Sequence, residues 1–419
     1  MNWSKFVVAS AAVWAFGCGS DSDDGGRVNN PQENNGSSDF TQVWSYGFDF
    51  EFVTSRVVAV ENGLVLAGNV GPTIRVIRLN SSYEPLWAQD ITGTSYLSDL
   101  DVDSEGRIVM VAQAGADPGF IIRLNSDGSL DRSVSAAGGY FQDLAMLDDG
   151  GFMLNDGVRL DTNLEVVSRG TASGDRVVKT SDGYAFLSAR DLALMGRSSG
   201  VLVRKADEDA NLVWQSFSSP SPANYTAVGI REMPDGSIMA AASGDTNAGH
   251  TLVVAVFEAD GTHRTTVQPT FSTLDQNGYS VPLQFGSGIA FLPDGQNTYA
   301  SFVANSGGLG SDVRTQITAR LGADGNVTGA LFNGGGLAKH GSSLVVAHMN
   351  NLISTNTMES ECIQSPAVGG GVIESQTEFK GIDEINGNPR NYEIVEHTVT
   401  VSPSPEVVLS TTCPSEPDA

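Results

Sequence analysis

Short runs of alternating apolar and polar residues, separated by small polar turns, recur along most of the chain. A typical example is the apolar and basic stretch Ile121–Leu124, which is followed by the turn Asn125–Gly128 and a second apolar stretch from Leu130. Alternation with a period of two predicts β-strands, and Asp-Gly or Asn-Gly dipeptides supply the positive φ that tight hairpins need. No convincing amphipathic helix is found beyond the N-terminus, so the pattern predicts an all-β chain.

The turns repeat at a regular spacing, which predicts the architecture. The first turn of each repeat carries a glycine, at Gly63, Gly106, Gly150, Gly183, Gly236, Gly295 and Gly341. The mean interval is roughly 46 residues, close to the length of a four-stranded propeller blade. We therefore expect a seven-bladed β-propeller of four-stranded blades, with a pair of β-sandwiches or an open solenoid as the alternatives.

One stretch before the first repeat predicts how the ring is completed. Gln42-Val43-Trp44 is similar to Pro85-Leu86-Trp87 and Leu212-Val213-Trp214, which lie where outermost strands are expected. An outermost strand in front of the first blade has no blade of its own. We expect it to join the last blade and close the ring, which leaves no strand edge unpaired there.

The N-terminus has the features of an export signal and an anchor. Lys5 precedes an apolar run from Phe6 to Phe16, which is too short to span a bilayer, and the run leads to Gly17-Cys18. This arrangement resembles a bacterial lipobox, which implies lipidation of Cys18; an ordinary signal peptide or a free cysteine is the alternative. The polar segment Gly19–Asp39 has the composition of a flexible tether.

These features predict the location and the domain boundaries. We expect a signal peptide at 1–17, a tether at 18–39 and a β-propeller at 40–356. The resemblance implies a lipid-anchored protein of the bacterial cell envelope, and Gly19 after the cysteine favours the outer membrane. The membrane is then a partner through the anchor.

The last part of the chain departs from the repeat. Residues 357–419 contain Cys362 and Cys413, a Gly369–Gly371 turn and an expected strand at Tyr392–Val401. Exported proteins meet an oxidising compartment, so a disulfide between the two cysteines is expected. We predict a disulfide-stapled C-terminal β appendage, with recruitment of one of its strands by the last blade as the alternative.

The negative net charge of the chain limits the kinds of partner that we expect. The chain has 419 residues with 49 acidic and 23 basic side chains, which gives a net charge of -26 and a pI near 4.3. Such a surface repels phosphate backbones, so no nucleic-acid partner is expected. The simplest consequence of the charge is solubility.

The repeat motif also resembles a known class of propellers. An apolar strand ends in Arg or Lys followed by Leu or Ala, then comes an Asn or Asp turn, then Leu or Val and Trp. This motif resembles bacterial delta-60-type and quinoprotein-like propeller repeats over residues 40–355. Propellers host enzymes, binders and scaffolds alike, so the resemblance implies an architecture and no activity. The vicinal cysteines or dense Trp motifs of the quinone enzymes are missing from the sequence, so no cofactor is expected.

The sequence gives little support for a catalytic or a metal-binding site. The five histidines are scattered, and neither a Gly-x-Ser-x-Gly elbow nor a His-Glu-x-x-His helix is found. Asp101, Asp103 and Glu105 resemble the start of a calcium loop, but Ala112 stands where the bidentate carboxylate belongs. The interpretation as an inner strand and its turn is preferred, so no metal site is predicted.

Four loops that enter expected inner strands carry a tyrosine. In a propeller these loops surround one mouth of the channel, where ligands usually bind, and Phe50 and Phe52 lie at the same place in the first blade. Aromatic rings there suit a sugar or a peptide; alternatively they pack between blades. The candidate ligand-binding residues are Tyr96, Tyr140, Tyr225 and Tyr279.

The function expected from the sequence is therefore a non-enzymatic binding module for a glycan, peptide or protein ligand. A scaffold subunit of an envelope complex is the first alternative. A hydrolase or lyase with carboxylates in the channel is the second.

Overall fold

The structure is a computed structural model, and it describes part of the chain. The described residues are 40–46, 53–94, 96–113, 119–136, 142–189, 200–219, 224–246, 249–274, 280–306, 314–331, 335–348, 351–355, 367–372, 376–380, 394–396, 398–403 and 409–411. Contacts divide the chain into Met1–Ser38 and Asp39–Ala419, and the described residues all belong to the second unit. The expected signal peptide, tether and lipidated Cys18 lie outside the described residues, as do Cys362 and Cys413. No described residue belongs to a helix that is long and apolar enough to cross a bilayer.

The described strands form antiparallel sheets of consecutive hairpins. The first sheet contains β2 (Val53–Val60), β3 (Gly63–Val70), β4 (Thr73–Leu79) and β5 (Pro85–Thr92). The second contains β6 (Tyr96–Val102), β7 (Ile108–Gln113), β8 (Gly119–Leu124) and β9 (Leu130–Ala136). The third contains β10 (Leu144–Met146), β11 (Phe152–Leu154), β12 (Val158–Leu160) and β13 (Val166–Arg169). The fourth contains β14 (Arg176–Thr180), β15 (Gly183–Ser188), β16 (Val201–Ala206) and β17 (Leu212–Ser219).

The remaining strands form two further sheets. The fifth sheet contains β18 (Asn224–Glu232), β19 (Ile238–Thr246), β20 (Gly249–Phe257), β21 (His263–Leu274), β22 (Ser280–Asp294), β23 (Asn297–Ser306), β24 (Arg314–Leu321) and β25 (Val327–Leu331). The sixth contains β26 (Gly336–His340), β27 (Ser343–His348) and β28 (Asn351–Thr355), and β1 (Phe40–Tyr46) pairs with β28.

The prediction of a β-propeller is confirmed, but the prediction of seven separate blades is wrong. The described strands make six sheets, because two four-stranded units share the fifth sheet. Its strands β21 and β22 are 12 and 15 residues long, and their ends pair from Ser272 with Pro282 to Leu274 with Ser280. The spacing of turn glycines counts hairpin units, and it cannot show that two long neighbouring strands will pair.

The C-terminal strands pair with the outer strands of five four-stranded units. They are β29 (Ala367–Val372) on β21, β30 (Gln376–Lys380) on β17, β31 (Ile394–Glu396) on β9, β32 (Thr400–Pro403) on β5 and β33 (Leu409–Thr411) on β1. These described strands therefore do not form the separate appendage that we expected. The physical reason is that each outer strand offers unpaired peptide groups, which the C-terminal strands satisfy.

Apolar side chains pack between successive sheets. In the described residues, one buried cluster joins the first sheet to the second, and further clusters continue through the third, fourth and fifth sheets. Another cluster lies between the two units of the fifth sheet, and the last two join the fifth sheet to the sixth and the sixth to the first. The sheets thus follow one another around a central channel.

The tryptophans of the repeat motif hold neighbouring sheets together. Trp87 of β5 donates its Nε1–H to the Ser126 carbonyl in the turn of the second sheet, at 3.1 Å. Trp214 of β17 makes the same contact with the Ala259 carbonyl of the fifth sheet, at 3.0 Å. An indole N–H donor next to a large apolar ring suits such a junction, which explains why Trp recurs in this motif.

Two glycines of the first sheet provide a test of the turn geometry. Gly63 has φ +136°, and a Cβ there would lie 2.1 Å from the Leu79 carbonyl oxygen, whereas Gly71 has φ +57° and open space around it. Gly63→Ala should therefore lower the free energy of unfolding by more than about 2 kcal/mol, and Gly71→Ala by about 1 kcal/mol. Urea denaturation of both variants measures the difference. Equal losses would contradict the close approach at Gly63.

Candidate functional site

The inner strands enclose a cavity in the central channel. Its volume is about 420 Å³, and all seven inner strands β2, β6, β10, β14, β18, β22 and β26, or residues adjoining them, contribute to the described wall. This volume is in the range of small-molecule binding sites. The channel is therefore the place where a ligand would meet side chains from every sheet.

One position of the inner strand carries the charge of this cavity. This position is defined by the register of the first hairpin of each unit. It lies four residues before the inner-strand residue that belongs to the pair closing the turn. Four neighbouring units have a charged residue there, and the other three have a small one: Arg56, Asp99, Asp143 and Arg176, then Gly229, Ala290 and Gly336. The channel is consequently asymmetric, although the hairpins that build it are equivalent.

The two arginines lie next to the two aspartates. Arg56 Nε is 3.4 Å from Asp99 Oδ1, and Arg56 Nη2 donates to the Ser98 carbonyl at 2.5 Å. Arg176 Nη1 is 3.9 Å from Asp143 Oδ1, a longer approach. Each arginine thus has a carboxylate of the adjacent sheet as its partner.

The same aspartates accept peptide N–H groups from the following inner strand. Leu144 N donates to Asp99 Oδ2 at 3.2 Å, and Val177 N donates to Asp143 Oδ2 at 2.7 Å. The acidic side chains therefore connect consecutive sheets at the channel wall. Asp143→Asn keeps an acceptor for Val177, whereas an apolar replacement would leave that N–H without its partner.

Burial raises the pKa of two acids of the channel, Asp143 and Asp101. Loss of hydration, with repulsion from Asp99, raises the pKa of Asp143 to about 8, although Arg176 opposes this shift. Loss of hydration also raises the pKa of Asp101 to about 7; the Val102 N–H opposes the shift, and the charges of Asp99 and Asp103 add to it.

The opposite part of the wall is mainly apolar. Its described lining includes Ile230 of β18 and Phe291 and Leu292 of β22. A Cβ on Gly229 would lie 2.2 Å from the Cβ of Phe291, so the glycine makes room for this ring. Lys339 lies near the same side, and its Nζ is 2.9 Å from Asp294 Oδ2. A ligand in the cavity would therefore meet charged groups on one side and apolar groups on the other.

The tyrosines singled out from the sequence do not share one environment. Tyr96 is 61% exposed at the start of β6, whereas Tyr225 is 3% exposed and packs in the cluster between the fourth and fifth sheets. Tyr140 and Tyr279 lie outside the described residues. The ring of Tyr225 fills the core, and Tyr96 has surface available for a contact.

The three residues that resemble the start of a calcium loop, Asp101, Asp103 and Glu105, lie in different surroundings. Asp103 is buried and holds the β6–β7 turn, because its carboxylate accepts from the Glu105 and Arg107 N–H groups and from Arg107 Nε. Asp101 lines the cavity, and Glu105 is exposed. Within the described part of the chain, no three His, Cys, Asp or Glu side chains are grouped to hold a metal ion.

Replacement of Asp101 on β6 and of Asp103 in the following turn by asparagine should change the free energy of unfolding in opposite directions. Because the pKa of Asp101 is raised, its ionisation disfavours the folded state progressively from about pH 4 to about pH 7. Asp101→Asn should therefore raise the free energy of unfolding by about 1–3 kcal/mol at pH 8 and change it little at pH 4. Asp103→Asn should lower it by about 1–3 kcal/mol at pH 8, since that variant loses charge-assisted hydrogen bonds of the turn.

Urea denaturation of both variants at the two pH values provides the measurement. Destabilisation of the Asp101 variant at pH 8 would contradict the environment described for this carboxylate.

Comparisons with known proteins leave the family open. No protein-family model matches the sequence, and no curated protein matches it. Among solved structures, the Dos1 propeller is 12% identical with a TM-score of 0.42, and the match covers 75% of this chain and 95% of that chain. An uncharacterized protein from Listeria monocytogenes EGD-e is 10% identical with a TM-score of 0.39, covering 75% of this chain and 94% of that chain.

A third structure is the WD40 domain from Toxoplasma gondii coronin. It is 10% identical with a TM-score of 0.23, and the match covers 80% of this chain and 87% of that chain. At these TM-scores the likenesses carry no argument, so the β-propeller fold rests on the pairing of the strands and the packing of the sheets.

Proposed function

We propose that the protein is a non-enzymatic binding module that takes its ligand in the central channel. The observation that carries this proposal is the cavity of about 420 Å³, with arginine–aspartate pairs on one side and apolar side chains on the other. Such a mixed wall can orient a small molecule, or a side chain of a peptide, protein or glycan-bearing partner. The exposed Tyr96 is an additional contact for a larger ligand.

The proposal includes a location and a complete ring. The sequence around Cys18 supports lipidation and anchoring in a bacterial cell envelope, with the outer membrane favoured. The pairing of β1 with β28, together with the cluster between the sixth and first sheets, supports closure of the ring by the N-terminal strand. The repeat motif supports kinship with delta-60-type or quinoprotein-like repeats.

A carboxylate-dependent hydrolase or lyase is the second candidate. It is favoured by the raised pKa values of Asp101 and Asp143, because general acids and bases near neutral pH are produced in this way. A binding module is preferred, since both Asp99 and Asp143 accept peptide N–H groups that hold the sheets together. Turnover of a bound compound by the purified protein would reverse this preference.

A pair of matched variants tests the channel as the binding site. Val178 lines the cavity, whereas Val213 lies on β17 and is 49% exposed. A panel of saccharides, short peptides, small amines and small carboxylates is added to the wild type, Val178→Phe and Val213→Phe, and the melting temperature is measured. At least one class should raise the melting temperature of the wild type and Val213→Phe, but not of Val178→Phe. If the ligand raised the melting temperature of both variants as it does that of the wild type, the ligand would bind outside the channel.

A further inference from the structure

We infer that the channel takes an organic cation, an alkylammonium group that pairs with the carboxylate of Asp101. This inference rests on the proposed binding function and specifies the ligand class of the same site. An alkylammonium is carried both by free amines and by lysine side chains, so the chemistry is shared by two sources.

The first argument is the balance of charge inside the channel. Arg56 is engaged by Asp99 and the Ser98 carbonyl, and Arg176 lies beside Asp143. The charges that act on Asp101 are those of other acids, Asp99 and Asp103. Asp101 is therefore the channel carboxylate without a neighbouring cation among the described residues.

The second argument is the position of the Asp101 side chain. Its Oδ1 accepts the Val102 N–H at 2.8 Å, and Oδ2 has no partner in the described part of the chain. The residue is half-buried, and it lines the cavity, so the surface that it retains faces the channel. A carboxylate oxygen that has lost bulk hydration and has no hydrogen-bond donor is stabilised by an incoming N–H donor.

The third argument excludes other ligand classes. Above about pH 8, where Asp143 is ionised, both channel arginines have a carboxylate partner, so an anion would compete with Asp99 and Asp143 for them. A metal ion needs several ligands at short distance, and the described acids are not grouped in this way. A single ammonium can pair with one carboxylate, which Asp101 provides.

The apolar part of the cavity suits the carbon chain of such a cation. Val58 lies on β2, the inner strand of the preceding sheet, and Val178, Phe291 and Leu292 contribute further apolar lining. Burial of methylene groups against these side chains adds affinity that a bare ammonium ion lacks. The expected ligand therefore has an ammonium group on an alkyl stem.

Binding should depend on pH because Asp101 must be ionised. The charges that act on Asp101 are those of Asp99 on β6 and Asp103 in the following turn. The other charged groups that line the cavity are Arg56 on β2, Asp143 before β10, Arg176 on β14 and Lys339 on β26. Since ionisation of Asp101 occurs near pH 7, ammonium affinity should fall about 30-fold between about pH 8.5 and about pH 5.5. Alkylammonium groups stay protonated throughout this range.

The test is isothermal titration calorimetry on the full chain with defined probes. The probes are n-butylammonium, the peptide Gly-Lys-Gly, butan-1-ol as a neutral analogue and butyrate as an anionic one. The variants are Asp101→Asn and Glu165→Gln, whose carboxylate is exposed next to β13, the outer strand of its sheet. We expect at least one ammonium probe to bind the wild type and Glu165→Gln, and Asp101→Asn to lose at least about tenfold in affinity.

The outcomes separate this inference from the proposed function. Binding of butylammonium indicates a free amine, and binding of the peptide without butylammonium indicates a lysine side chain; both support the inference. Equal binding by Asp101→Asn, equal binding of butan-1-ol, or binding of butyrate alone overturns it. In those three cases the proposed function survives if Val178→Phe abolishes binding, because the protein then still binds through its channel. Absence of binding by every ammonium probe also overturns the inference, and the wider ligand panel then decides the proposed function.

Because Asp101→Asn should stabilise the fold at pH 8, its loss of binding would not be explained by unfolding. The melting temperature of each variant, measured in the calorimetry buffer, verifies that the fold is present.

Discussion

Truncation of Phe302 to alanine should lower the free energy of unfolding by about 3–5 kcal/mol. The side chain is fully buried in the cluster between the two units of the fifth sheet. Its ring meets the ring of Phe271 edge to face, with centroids 5.5 Å apart. Removal of the ring leaves a cavity between two units that also share a strand pair, so the surrounding sheet cannot collapse freely into the gap.

Urea denaturation with circular dichroism measures this effect. Leu86→Ala is the matched control, because Leu86 lies on β5 and is 58% exposed; its loss should be under about 0.5 kcal/mol. A loss below about 1 kcal/mol for Phe302→Ala would show that the two units do not pack as described.

Removal of the C-terminal strands should have a still larger effect. A chain that stops after Thr355 loses β29 to β33, which pair with the outer strands of five units. It also loses Val399 and Val401, which pack against the cluster between the first and second sheets, and Ile394, which packs against the next cluster. Burial of three such side chains contributes about 5 kcal/mol, apart from the lost strand pairing.

The truncated chain should also associate, because its outer strands then present unpaired edges. Urea denaturation and size-exclusion chromatography measure the two consequences. A chain that stops after Pro414 is the control, since it keeps every described strand and Cys413. If the chain ending at Thr355 remained monomeric and as stable as this control, the role assigned to the C-terminal strands would be refuted.

The hairpins were predictable from sequence because their signals are local. Gly106 and Gly236 adopt φ of +78° and +82° at the turns expected from Glu-Gly and Asp-Gly dipeptides. The strands on both sides follow the alternation of apolar residues. In contrast, the partners of the C-terminal strands are distant in sequence, and alternation does not encode them. The pairing of β21 with β22 is local, but it depends on how far the two strands extend, which the spacing of the turn glycines does not show.

The channel site was only partly predictable. The sequence shows Asp101 as part of an incomplete calcium loop, but its neighbour Asp103 accepts the hydrogen bonds that hold the turn. The charged set of Arg56, Asp99, Asp143 and Arg176 was missed, although it lies at one register position of successive units. Alignment of the hairpins on their closing pairs would have revealed it, whereas a search along the linear sequence does not.

Comparison of equivalent positions in the repeats therefore distinguishes the residues that build the fold from those that shape the channel site. The turn residues recur because each hairpin needs the same geometry, and the tryptophans recur because they join neighbouring sheets. The inner-strand position changes from charged to small around the channel, and this difference creates an asymmetric site on a repetitive frame. We expect the ligand class to depend on the channel residues that differ between units, Asp101 among them.

A crystal structure of the full chain with n-butylammonium would test the central claim most directly. The account predicts electron density for the amine in the central channel, with its nitrogen within about 3.2 Å of an Asp101 carboxylate oxygen and its alkyl chain toward Phe291 and Val178. Density for the amine only outside the channel, or an empty channel in crystals grown at saturating amine, would contradict it.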